Sequence, residues 1–296
     1  MKNCKSIICG LAFALVFTVV AATAADAPPL TFTFKAFNVA GAVATNPGGI
    51  SNTGVLVGQY EDKNLVLHGF ILQGKKLTTL DDPNGKSGTT GASNLALDGP
   101  IVVVGAYTNS AGNSVGFLYK GGKYTDIPGP AGSIGSAADG INDAGDIVGD
   151  YVDSKSVMHG FLLKGGKYKT LDPPGSLGTV ATGVNKKDEV VLYWVNSAGA
   201  YESSLYNGKT YKTINVPGET SSIATDINTA GDVTYQVIDS GNNNHGALLH
   251  AGKYYKLDYP KSAFTFAGAV NDHSTIVGGY RTTSNGNLHG LTATYK

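Results

Sequence analysis

Short apolar runs broken by glycine, proline and asparagine follow one another along the whole chain, and one arrangement keeps returning. HGFLLKGGKYKTLDPPGS begins at His159, HGFILQGKKLTTLDDPNG at His68 and HGALLHAGKYYKLDYPKS at His245. Each sets two apolar runs around a turn containing glycine, which is the pattern of a β-hairpin. Helical periodicity appears in no window, and the 41 glycines oppose long helices.

The hairpin belongs to a longer repeat. Anchored on His68-Gly69, Val115-Gly116, His159-Gly160, Glu202-Ser203, His245-Gly246 and His289-Gly290, the copies stand 47, 44, 43, 43 and 44 residues apart. An aromatic column runs in step: Tyr60, Tyr107, Tyr151, Trp194 and Tyr280, with Val237 in the fifth slot. In the third copy the pattern predicts strand a over 136–141, b over 146–151, c over 159–164 and d over 167–172. Asn142 to Gly145 turns a into b, and Gly165-Gly166 turns c into d. Asp62, Asn109, Asp153, Asn196 and Asp239 open the b–c loops, where their side chains can bond their own backbone.

Four strands per period of this length predict a propeller blade. Strand c is apolar at consecutive positions (Phe161, Leu162, Leu163), as burial between two neighbouring blades requires, and strand a is small (Thr179 to Gly183), which suits a crowded axis. The last copy stops after strand c, at 289–296, while residues 33–38 match the d pattern, Phe34 on Tyr168 and Phe37 on Leu171. The predicted fold is therefore an all-β six-bladed β-propeller of four-stranded blades, its ring closed by the N-terminal strand pairing with the C-terminal strand. The blades would occupy about 41–83, 84–129, 130–173, 174–216, 217–259, and 260–296 plus 31–38, within one domain over 25–296. An open β-solenoid is the alternative, and it would not need a permuted terminal strand.

The residues I-N-D-A-G-D-I-V-G-D-Y at 141–151, with H-G-F-L from 159 and L-D-P-P-G from 171, resemble the HAF-type extracellular repeat family of bacterial exported proteins. The resemblance covers nearly the whole mature chain and is strongest in units three and six. Unit two lacks the asparagine turn, and units four and five lose the glycine of the G-x-Y strand. The resemblance implies an exported bacterial repeat protein and carries over no catalytic residue. The ring closure resembles that of WD-repeat propellers in architecture only.

The N-terminus changes the picture of where such a ring would work. Lys2 and Lys5 precede an apolar run from Ile7 to Val20, followed by Ala22-Thr23-Ala24, so residues 1–24 read as an export signal peptide. An uncleaved anchor is the alternative, although the run is shorter than a membrane-spanning helix needs. Cleavage would remove both cysteines, Cys4 and Cys9, leaving neither disulfide nor Cys-based metal site. It would also take the balanced 22 basic and 22 acidic residues to a net of −2. No basic block is present, so nucleic acid is not an expected partner. The mature chain is expected in the periplasm or outside the cell, as a monomer without membrane insertion.

Candidate chemistry is sparse. The recurring His68, His159, His245 and His289 occupy one blade position each, too far apart to share a metal, and are expected to bond neighbouring loop backbone. The aromatic column is expected to pack between blades. Departures from the repeat are more informative. Arg281, the one arginine, follows Tyr280 as Glu61 follows Tyr60; the two are expected to pair at the seam of blades six and one, or else to clamp a ligand. Trp194, the one tryptophan, is either core or a binding hot spot. Trp194, Arg281 and Glu61 are thus the candidate ligand-binding residues. No catalytic motif is present, and no catalytic residue, metal or cofactor is expected.

The leading reading is an exported, non-enzymatic binding or scaffold module that presents a loop-lined face to a glycan, small molecule or protein. The alternative is a hydrolase or lyase acting on extracellular polysaccharide with carboxylates on axial loops. Two carboxylates about 5–9.5 Å apart in the channel mouth would favour hydrolysis, and a lining of Gly, Ala, Ser and Thr alone would favour binding. A purely structural role without a small ligand is a third reading.

Overall fold

A computed structural model describes residues 29–86 and 90–296; the signal peptide expected at 1–24 lies outside these. The first strand, β1 (Phe32–Phe37), is followed by blade one: β2 (Ala44–Ile50), β3 (Leu56–Glu61), β4 (Leu67–Gln73) and β5 (Lys76–Leu80). Blade two is β6 (Gly91–Leu95), β7 (Val102–Thr108), β8 (Ser114–Lys120) and β9 (Lys123–Ile127). Blade three is β10 (Gly135–Ile141), β11 (Ile147–Val152), β12 (Met158–Lys164) and β13 (Lys167–Leu171). Blade four is β14 (Gly178–Val184), β15 (Val190–Val195), β16 (Tyr201–Tyr206) and β17 (Tyr211–Thr213). Blade five is β18 (Ser221–Ile227), β19 (Val233–Ile238), β20 (Asn244–His250) and β21 (Lys253–Leu257), and β22 (Phe264–Val270), β23 (Thr275–Arg281) and β24 (His289–Tyr295) begin blade six.

Each blade is an antiparallel sheet in chain order, except the sixth, whose order is β1-β24-β23-β22. Phe34 pairs with Ala293 and Ala36 with Leu291, so the N-terminal strand supplies the missing outer strand and closes a six-bladed β-propeller. The core lies between blades. One cluster joins Val148 and Leu171 of blade three to Ala181, Leu192 and Tyr206 of blade four.

The asparagine turn does two jobs. Asn142 Oδ1 accepts from the backbone N–H of Ala144 at 3.1 Å and Asp146 at 2.9 Å, which holds the turn shut. Its Nδ2 donates to the Asn185 carbonyl of the next blade at 3.3 Å. Asn185 reaches Asn228 O at 3.2 Å, Asn228 reaches Asn271 O at 3.1 Å, and Asn271 reaches Ser51 O at 3.0 Å. A local turn signal is therefore also a stitch from blade to blade.

The recurring histidines correct the expectation of a backbone bond. His159 Nδ1 lies 2.7 Å from Asp172 at the end of the outer strand, and Nε2 lies 3.5 Å from Asp153 in the b–c loop. His245 meets Asp258 at 3.0 Å and Asp239 at 3.2 Å; His68 meets Asp81 at 2.9 Å and Asp62 at 4.0 Å. The column tyrosines stack on these rings, Tyr60 on His68 and Tyr151 on His159, with centroids 5.2 and 5.1 Å apart. The H-G…L-D spacing brings the imidazole opposite a carboxylate because strands c and d pair in register, Gly160 against Leu171. Desolvation lowers the His159 pKa, but Asp172 and then Asp153 outweigh it and hold it above the ordinary value.

All six innermost strands carry a β-bulge at one position, in β10 between Ala138 and Gly140. The bulge presses its backbone on the neighbouring strand: a Cβ on Gly149 would stand 2.1 Å from Ala137 O. That close approach explains the glycine of the G-x-Y strand in this blade. The bulge also turns one extra residue per blade towards the axis.

Candidate functional site: the channel mouth

The bulged residues form a ring around the channel: Gly48, Ser93, Asp139, Thr182, Thr225 and Gly268. Two of them tie blades together, Thr182 Oγ1 donating to Ala224 O at 2.9 Å and Thr225 Oγ1 to Ala267 O at 2.7 Å. Asp139 stands where the others have a small or hydroxyl side chain. It bonds Asp150 on the adjacent strand β11, and its Oδ2 is buried without a hydrogen-bond partner. Two carboxylates in contact away from bulk water cannot both ionise cheaply. Burial, and after it the charge of Asp150, raises the Asp139 pKa well above the carboxylate range, and burial raises that of Asp150. One proton shared by the two carboxyls relieves that repulsion.

The next residue inward is Asn94 in blade two and Asp226 in blade five. These blades are opposite in the ring, and Asn94 Nδ2 donates to Asp226 Oδ1 at 3.2 Å. The bond crosses the axis and forms the floor of a cavity. Asp226 also accepts from Val270 N at 3.1 Å. Burial pushes its pKa up to about 7, against the opposing pull of the Val270 and Ile227 N–H groups and Asn94.

Above this floor lies a cavity of about 300 Å³, lined by Asn46, Gln59, Ser93, Asp139, Thr182, Tyr193, Thr225, Gln236 and Phe266, among others. Its walls are neither acid pairs at glycosidase spacing nor small residues alone. Asp139 and Asp150 touch, closer than the about 5 Å minimum of a hydrolytic pair. Burial, then the charges of Asp139 and Asp150, raises the Tyr193 pKa and keeps its phenol protonated. Below the floor, the channel is stoppered by Lys186, whose Nζ lies 2.7 Å from Asp98, 3.1 Å from Asp143 and 3.8 Å from Asp272.

The structure separates the residues nominated from sequence. Trp194 turns between blades: its Nε1 donates to Ser204 Oγ at 3.1 Å, and its ring packs on the cluster of blades three and four. Arg281 lies over the Phe264 ring at 5.0 Å, and Phe264 lies 6.1 Å from Phe266 in the cavity wall, so Arg281 is set back from the cavity by the Phe264 ring. Glu61 pairs along the backbone with Ala44 and Leu67. Among the described residues Arg281 and Glu61 form no ion pair, so the expected seam pair is replaced by a cation–π contact with the arginine's own strand partner.

Asp139, Asp150 and Asp226 are not among the residues nominated from sequence. A signal existed: Asp139 is an acid flanked by the small residues Ser136, Ala137, Ala138 and Gly140, and Asp226 sits where four other blades carry Gly or Ala.

No family model matches the chain, and no curated protein sequence does. Among solved structures, AofleA from Arthrobotrys oligospora is similar at 12% identity and TM-score 0.53, over 90% of this chain and 92% of that one. The SapL1 lectin in complex with α-methyl fucoside is similar at 11% identity and TM-score 0.52, over 84% and 93%. The β-propeller domain of the Trilobed protease from Pyrococcus furiosus, described as having an open velcro topology, is similar at 11% identity and TM-score 0.50, over 88% and 96%. At these identities the likeness concerns the fold alone: this chain shares the propeller architecture of those proteins.

Proposed function

We propose that the chain is an exported, non-enzymatic carbohydrate-binding module that takes a sugar into the channel mouth. The observation that carries this reading is the cavity itself. Three amides (Asn46, Gln59, Gln236), hydroxyls (Ser93, Thr182, Thr225) and two aromatic rings (Tyr193, Phe266) converge on about 300 Å³. Sugar hydroxyls both donate and accept, as amides and hydroxyls do, and an aromatic ring covers the apolar face of a pyranose. The volume is at the small end of ligand sites, suited to one or two sugar rings. Arg281, stacked on Phe264 beside the wall residue Phe266, is a second contact for a longer glycan. The lectin in complex with a fucoside supports the reading by analogy of fold. The resemblance to HAF-type repeats and the residues Lys2 to Ala24 support export. Hydrolysis is disfavoured because the touching acids leave no space for a sugar carbon or a water between them.

A glycan array with the purified chain tests this. Binding is expected, lost in Tyr193→Ala and Gln236→Ala, weakened for longer glycans in Arg281→Ala, and retained in Trp194→Ala and Glu61→Ala variants whose circular dichroism is native. A blank array, or full signal from folded Tyr193→Ala and Gln236→Ala, overturns the reading.

A further inference from the structure

The channel mouth holds a feature that a neutral sugar site does not need. Asp139 projects from the bulge of β10 into the cavity wall with Oδ2 enclosed and unpartnered, beside the carboxyl of Asp150 on β11. The groups facing the pair from other elements are the Ser93 hydroxyl of β6, which bonds Asp139, and the Tyr193 phenol of β15. Among the described lining residues there is no lysine, arginine or histidine. Asp139, in contact with Asp150 behind it, therefore presents a carboxyl to a confined, partly desolvated space whose described lining holds no protein cation, while Asp226 lines a separate pocket with Lys186.

We infer that the mouth selects a ligand bearing a primary ammonium group, of the amino-sugar class, with the ammonium seated on the cavity side of the Asp139–Asp150 pair. The choice of an amino sugar rests on the carbohydrate reading; the ammonium subsite does not. An ammonium brings one positive charge and three N–H donors. One donor satisfies Asp139 Oδ2, a second reaches Asp150, and the charge replaces the proton that holds the pair. A sugar hydroxyl can donate to Oδ2, but it brings no charge and leaves the pair protonated. An N-acetylated amine has lost two of its three donors and the charge. Binding in this way releases up to one proton, so affinity rises by up to tenfold per pH unit while the free pair is protonated and the ligand amine is still charged.

Titration calorimetry on the full chain distinguishes these. The probes are methyl glucosaminide, methyl N-acetylglucosaminide, methyl glucoside and cyclohexylamine, run in two buffers of different ionisation enthalpy to count protons. The glucosaminide is expected to bind at least about tenfold more tightly than both neutral sugars, with proton release. Asp139→Asn and Asp150→Asn are expected to abolish the preference, the proton release and the binding of cyclohexylamine, while keeping native circular dichroism. Equal affinity for the three sugars, or a preference that survives both variants, overturns the inference and leaves the carbohydrate reading intact. Binding of cyclohexylamine without any sugar keeps the ammonium subsite and removes the carbohydrate reading. Binding of none of the four probes overturns the inference.

Discussion

Asp226 offers a direct measure of what the closed channel floor does to a carboxyl group. Its side chain is enclosed and bonded to Asn94 from the opposite blade and to the Val270 N–H. Burial raises its pKa from 3.8 to about 7. The native state therefore holds this proton more tightly than the unfolded chain. The resulting stability is fully present below pH 3.8 and is lost as the pH rises through about 7. At about 1.4 kcal/mol per pH unit, the interval corresponds to about 4 kcal/mol. Asp226→Asn keeps the shape and an acceptor for the Val270 N–H but has no proton to lose. Relative to wild type, the variant should gain up to about 4 kcal/mol between about pH 4 and pH 8. Urea unfolding followed by the fluorescence of Trp194 at about pH 4, 6 and 8 gives the difference directly. Asp139 and Asp150 titrate in both proteins and cancel. If the two stability profiles run parallel across that range, the account of Asp226 as a buried, proton-holding carboxyl is refuted.

Two further tests address the ring. Lys186→Met removes the cation from Asp98, Asp143 and Asp272, and should lower stability by about 1 kcal/mol at low salt, because these groups are partly exposed and screened. Hydrogen bonds from Lys186 and Asn52 hold the Asp98 carboxyl below the usual range, so its contribution is present above pH 3.8 and lost on acidification; the variant's deficit, read as a melting shift, should vanish in high salt and in acid. A chain starting at residue 39 lacks β1 and leaves β24 with one free edge. It should melt lower and less cooperatively than the full chain, and a peptide of residues 31–38 added in trans should recover part of the loss; no change on deletion would deny that the terminal strand closes the ring.

The repeat period, the four-strand blade, the tight hairpins and the terminal strand that completes blade six are all readable in the sequence. They rest on alternation, turn residues and self-similarity, which are local or periodic quantities. The match of Phe34 and Phe37 to Tyr168 and Leu171 is an example: two segments that share a burial pattern take the same place in a sheet. Side-chain chemistry across blades is a different matter. Asn94 and Asp226 are 132 residues apart and meet only because six wedges set blades two and five opposite each other. Asp139 reaches the channel because a bulge adds one residue to a strand, a shift that strict alternation does not contain. Knowing that blades one and six are neighbours was likewise not enough to pair Glu61 with Arg281, since adjacency of strands leaves side-chain direction open and Phe264 lay nearer. The sequence by itself determined the ring and its order. Only the tertiary structure decided which acids share the axis, because their pKa values and partners come from burial and contact between segments far apart along the chain.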